Sequence, residues 1–184
     1  MARPPGVTLA DLVVLSVLAE RPMHGYELWS ELERRQVAKW ASITKAQVYY
    51  SLRKLEDGRY IKAARDDDDS LGPERRVFKP REEGRKLLSG ELAHAKWATQ
   101  RPPDPFLTWM VLSWQARPRD FNAQIARRRK FIEKQLEEDR AALEAVIAET
   151  SPASDAAMVV RLGIRQFEVE MEWLDQVAAR QRPG

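Results

Sequence analysis

The segment Thr44–Gly58, TKAQVYYSLRKLEDG, constrains this chain more than any other. Val48, Leu52 and Leu55 stand at i, i+4 and i+7, one narrow apolar stripe on a helix of about 44–57. The opposite face presents Ala46, Gln47, Tyr50, Arg53, Lys54 and Asp57. Gly58 supplies the C-terminal stop. A helix with one thin stripe must lay that edge on a small core and leave its other face free.

The flanking sequence provides that core. Leu9, Leu12, Val13, Leu15 and Leu18 form a broad apolar face, a first helix of about 8–20 with Thr8 as its N-cap. Arg21-Pro22 ends it, because the residue before proline is pushed out of helical geometry. A second helix starts near Met23 or His24 and runs to about Gln36, with Tyr26, Leu28 and Leu32 available to pack. Beyond Gly58, two strand-like pieces at 59–65 and 75–80 enclose DDDDSLGPE, a turn-forming loop, so a β-hairpin with a long polar tip is expected. A further helix covers about 81–99. The segment RPPDP (101–105) cannot continue it, and beyond that break the pattern is helical at 106–114, 118–149 and 154–181. The last two, joined by a short loop, should lie antiparallel. The fold class is mostly α: an α+β winged helix-turn-helix at 8–90, then a C-terminal helical dimerisation domain at 91–181, where a sensor could also sit.

Charge is uneven. The chain carries +3 overall, all of it in residues 1–86, and that half would be +7 without the run Asp66–Asp69. A basic module joined to a neutral one suggests a polyanion partner. Other classes fare badly. There is no cysteine, so no disulfide, thiolate chemistry or thiolate-bound zinc. His24 and His94 are the only histidines, and no carboxylate pair has ligand spacing with them. Neither a phosphate-cradling glycine loop nor a serine elbow is present. No catalytic residue, metal or cofactor is therefore expected. No apolar run approaches the ~20 residues of a membrane span, and the N-terminus lacks a signal-peptide pattern.

Three helices and a hairpin, with a polar helix face left over, suit double-stranded DNA. A helix fits the major groove, where side chains read base edges and cations bracket them on phosphate. Gln47 can pair with adenine N6 and N7, and Tyr50 can donate its hydroxyl or pack on a thymine methyl. Lys45, Arg53 and Lys54 can reach phosphate, and Thr44 opens the same helix. On the hairpin, Arg75 and Arg76 can touch phosphate or the minor groove. The four aspartates would repel the backbone, so the tip is expected to be mobile, or else to point away.

Here the residues resemble a known family. LSVLAERPMHGYELWSELERR, ITKAQVYYSLRKLEDGRYI and GPERRVFKPREEGRKLL are similar, in order and spacing, to PadR-type transcriptional regulators over residues 9–90. The resemblance implies a cytoplasmic, dimeric DNA-binding protein, most often a repressor, released from DNA by small aromatic compounds. It places Tyr49 at the family's recognition-helix tyrosine and Arg76 at a basic wing position. It departs at Tyr50, where the family has proline, and at Arg81, where a threonine cap is usual; losing that cap costs about 1 kcal/mol. For His24-Gly25-Tyr26 the readings are packing in the corner between the first two helices, a phosphate contact, or chemistry.

The C-terminal helices are too amphipathic to stand alone, and a twofold mate is the common solution, matching a palindromic operator. The knot Arg127–Lys130 beside EEDR (137–140) reads as a salt-bridge face. Trp97, Trp109 and Trp114 fall near the hinge and could line a site for a flat apolar effector, or be core. The alternative function is a protein-interaction module that uses the winged helix and long helices for assembly.

Overall fold

Helix α1 (Leu9–Glu20) is apolar almost all round, and the N-terminal unit is built on it: Ala10, Leu12, Val13, Val14, Leu15, Val17 and Leu18 are all buried. The computed structural model describes residues 6–64, 76–100 and 103–180. The hairpin tip, with Asp66–Asp69 and Arg75, lies outside the described residues. Thr8 caps α1 in a reciprocal box. Its backbone N–H donates to the Asp11 carboxylate at 2.8 Å, and its hydroxyl accepts from Asp11 N–H at 3.3 Å.

The second helix begins later than expected. Pro22 has no N–H, and the extended residues Met23–His24 become strand β1 instead. Helix α2 (Gly25–Arg34) starts behind them, with His24 N–H donating to Glu27 at 2.8 Å. Gln36 takes a left-handed φ of 52°, which stops α2, and a separate turn α3 (Val37–Trp40) follows. Helix α4 (Lys45–Asp57) comes next, then strands β2 (Ile61–Ala64) and β3 (Val77–Pro80). The sheet is antiparallel with order β1-β3-β2, so β3 is central; Met23 stands opposite Phe78, and Phe78 opposite Ala63.

Gly58 caps α4 as expected, but it is not the left-handed residue of the turn. Its φ is −73°, and the left-handed residue is Arg59, at φ 61°. Tyr60 N–H reaches Leu55 carbonyl at 2.8 Å and Arg59 N–H reaches Glu56 at 2.9 Å, the Schellman pattern one residue further on. Gly58 is needed for space: a Cβ there would stand 2.8 Å from the Tyr60 ring.

Helix α5 (Glu82–Leu92) starts at Arg81 without a side-chain cap, and Arg81 N–H donates to Tyr60 carbonyl at 2.8 Å. The continuous helix expected to 99 is broken. Trp97 indole N–H takes the Glu91 carbonyl at 2.7 Å and Lys96 the Glu91 carboxylate at 3.1 Å, turning Lys96–Thr99 back as a separate helix, α6.

The chain divides into two compact units, residues 1–101 and 102–184. In the second, Asp104 caps α7 (Pro105–Leu112) through Phe106 N–H at 2.7 Å, and a 3-10 turn spans Ser113–Gln115. Helices α8 (Pro118–Glu149) and α9 (Asp155–Ala179) run antiparallel. Phe121, Ile125, Ile132 and Leu136 pack on Ile164, Leu174 and Val177. Arg128 ties the unit together: it forks onto Glu170 at 2.7 and 2.9 Å and lies over the rings of Phe106 and Phe131. Val159 and Leu162 of α9 are exposed. Among the described residues no helix is long and apolar enough to cross a membrane.

Two glycines of α5 separate backbone crowding from helix propensity. A Cβ on Gly84 would lie 2.2 Å from Tyr60 carbonyl oxygen, whereas one on Gly90 meets nothing within 4 Å. Gly84→Ala is expected to destabilise by about 1–3 kcal/mol. Gly90→Ala is expected to stabilise by about 0.5–1 kcal/mol. Thermal and urea unfolding of both variants read this directly.

Candidate nucleic-acid interface

The roll of α4 about its own axis is fixed by four buried positions, Val48, Ser51, Leu52 and Leu55. Lys45, Ala46, Gln47, Tyr50 and Arg53 are exposed on the remaining surface, Tyr50 at 66%. Leu52 and Val48 share one core with Val14, Leu15 and Leu18 of α1 and Leu28 and Leu32 of α2. Tyr49 is half-buried against that core. The close packing explains Gly25, where a Cβ would press Leu52 at 3.3 Å and the Tyr49 ring at 3.4 Å. His24 and Tyr26 stack at 5.6 Å beside it. Gly25 therefore packs against α4 rather than in the corner between α1 and α2, and Tyr26, expected to pack, is 58% exposed.

Not every candidate side chain is presented alike. Thr44 and Gln47 are locked to each other. Thr44 N–H donates to Gln47 Oε1 at 2.8 Å, Thr44 hydroxyl donates to the same oxygen at 3.0 Å, and Gln47 N–H reaches Thr44 Oγ1 at 3.4 Å. Lys54, expected at phosphate, turns inward: its ammonium lies 2.6 Å from Asp11 Oδ2 and also donates to Gly6 carbonyl. Arg76 forms an ion pair with Glu56 of α4 and lies 5.6 Å over the Phe78 ring. Lys45, Tyr50 and Arg53 stand exposed, and Arg75 is outside the described residues.

Asp11 is the residue that sequence patterning passed over. It sits in an otherwise apolar helix face and is 1% exposed. Burial raises its pKa most strongly, but the hydrogen bonds from Lys54 and from Thr8 outweigh that, and the carboxyl is held below its ordinary value near 3.8. The signals available were the Thr-x-x-Asp capping spacing and a lone carboxylate in an apolar run. A second ionic tie, Arg35 between Glu20 and Glu31, joins α1 to α2, and Arg34 with Arg35 holds Glu31 down to about 2.

The effector candidates are spread over both units. Trp97 lies in the first, half-exposed, with Lys96 over its ring. Trp109 lies in the second, partly buried and stacked with Phe106 at 5.4 Å and with Phe121 at 5.7 Å. Trp114 is 74% exposed.

Comparison with known proteins agrees with this geometry. Residues 14–90 match the model of the transcriptional regulator PadR-like family. No curated protein sequence matches. Among solved structures, Bacillus subtilis PadR in complex with operator DNA superposes with a TM-score of 0.76 at 16% identity, covering 94% of this chain and 98% of that one. The same regulator with p-coumaric acid gives 0.74 at 14%, covering 95% and 97%. The Vibrio cholerae virulence activator AphA gives 0.68 at 21%, covering 92% and 96%. At these identities the likeness is one of fold.

The Asp11 site carries a pH signature. A carboxyl whose folded pKa lies below its unfolded value adds stability above that unfolded value and loses it as pH falls through the folded one. Asp11→Asn is therefore expected to cost roughly 1–3 kcal/mol at pH 7. The gap to the parent should narrow as pH falls below about 4, the ordinary carboxyl range. Urea unfolding at pH 7, 4 and 3 checks the trend; a gap that widened in acid would contradict it.

Proposed function

We propose that this chain, whose residues 14–90 form a domain of the PadR-like transcriptional regulator family, is a dimeric regulator that inserts α4 into the major groove of a palindromic operator. One observation carries the reading. The buried edge of α4 faces the core while Lys45, Gln47, Tyr50 and Arg53 are left exposed together on a helix followed by the β2–β3 hairpin. No catalytic constellation is part of the reading. The DNA complex of the Bacillus subtilis regulator supports it through shared fold. We assign repression, the outcome when a dimer on its operator covers a promoter, and a cytoplasmic setting.

The second unit supports the dimer. Met158, Leu162 and Val169 recur at helical spacing on α9 and are 58–60% exposed, joined by Val159 at 63%. On α7, Val111 is 75% exposed and Leu112 59%. Apolar side chains gathered on one helix face mark interaction surfaces. A twofold mate through these helices gives each half-site one α4. Release by a flat aromatic effector belongs to the same reading, supported by the p-coumaric acid complex. Trp114 keeps an open ring for such a ligand, whereas Trp109 is committed to packing.

Two measurements test this. Fluorescence anisotropy with the DNA upstream of the chain's own gene, over a salt series, should give a steep negative log–log slope. Arg53→Gln is expected to reduce that slope by about 0.9, one phosphate contact, while Lys54→Met leaves the slope alone and lowers stability instead. A salt-insensitive complex, or equal slope changes in both variants, would count against the assignment. Sedimentation should give twice the chain mass for the parent. Leu162→Glu should shift it toward the 21.2 kDa of one chain.

A further inference from the structure

We infer that α4 reads DNA through hydrogen-bond donors and therefore selects a G·C pair at the base step facing Gln47. This rests on the DNA-binding function proposed above and adds its specificity. The key is the capping box at the start of α4. A backbone N–H can pair only with an acceptor, so the Thr44 N–H at 2.8 Å fixes which end of the Gln47 amide is oxygen. Thr44 hydroxyl, at 3.0 Å, occupies the same oxygen again. The amide NH2 is then the group left to face a ligand, and it can only donate. The Thr44 hydroxyl is engaged on both sides, donating to Gln47 Oε1 and accepting from Gln47 N–H.

The neighbours reinforce the bias. Lys45 and Arg53 carry donors only. The acceptors on α4 are withdrawn or distant: Glu56 is held by Arg76, and Asp57 is the last residue of the helix. Tyr50 hydroxyl is the one exposed group of this face, among the described residues from Lys45 to Arg53, that can also accept. Guanine presents two adjacent major-groove acceptors, N7 and O6, whereas adenine pairs its N7 with a donor amine at N6. A donor-only amide can use both acceptors of guanine, whereas on adenine it can use N7 alone and meets a second donor at N6, so guanine is the favoured partner. The usual glutamine–adenine fork would require Oε1 to leave Thr44, uncapping the very helix that presents it.

The test separates capping from reading. Glutamate at this position still completes the box, since its carboxylate accepts from Thr44 N–H just as the amide does. Full-length parent and Gln47→Glu proteins are used to select from a duplex library randomised over about two helical turns. The melting midpoint of Gln47→Glu should stay within about 2 °C of the parent. The two selections should differ at one position per half-site, where the parent enriches G·C and the variant does not. Replacing that guanine by 7-deazaguanine should weaken the parent at least about fivefold, as for a lost base contact. Enrichment of A·T at the Gln47-dependent position overturns the inference, as do identical selections from the two proteins. Enrichment of nothing by the parent overturns the DNA-binding function itself.

Discussion

The molecule depends on how α4 is rolled about its own axis. Burying Val48, Leu52 and Leu55 against α1 and α2 removes three branched side chains from water, worth roughly 1.5–3 kcal/mol each. A roll of one residue, about 100°, would trade that gain for exposed leucine and bury Tyr50 or Gln47. The polar face is therefore a consequence of the apolar one. Gly25 leaves room for the Leu52 and Tyr49 side chains of α4, and Gly84 lets α5 come up to the Tyr60 carbonyl just beyond α4.

Electrostatics refine the same arrangement. Lys54 is spent on Asp11, a carboxylate in an almost wholly apolar helix, so the last turn of α4 is tied to the first turn of α1. A buried pair of this kind adds little net stability over an apolar pair, yet removing one partner is costly. Its contribution is directional: a cation that could have reached phosphate is used to fix the helix that carries the others. Arg76 follows the same logic in a looser form. Its pairing with Glu56 fastens the start of β3 to α4 while leaving half its surface in water.

Much of this was legible in the sequence, for identifiable reasons. Helical periodicity marked α1, α4, α8 and α9 within a residue or two, because long amphipathic patterns bury one face. The hairpin strands were found from flanking turn formers. Strand β1 was not, since two residues carry no period, and its partner β3 lies more than fifty positions on. Gly58 reads as the stop of α4 and is its C-cap, but the left-handed residue of that turn is Arg59, while the missing Cβ of Gly58 makes room for the Tyr60 ring. Exposure of Lys54 followed from helical phase alone, and phase cannot see a carboxylate arriving from another helix. Within the candidate interface, composition named the residues but could not tell that Thr44 and Gln47 occupy each other.

That mutual occupation bears on what a capping residue can do. An N-cap box stabilises a helix by satisfying its first free N–H groups. When the box lies on a helix meant to face a ligand, the same hydrogen bonds decide which polar ends remain. The Thr44–Gln47 pair spends its oxygens on the backbone and keeps its amide hydrogens outward. Local stability and recognition are then one choice, made by the need of a backbone donor for an acceptor, and a change at either residue alters both unless the replacement keeps the oxygen.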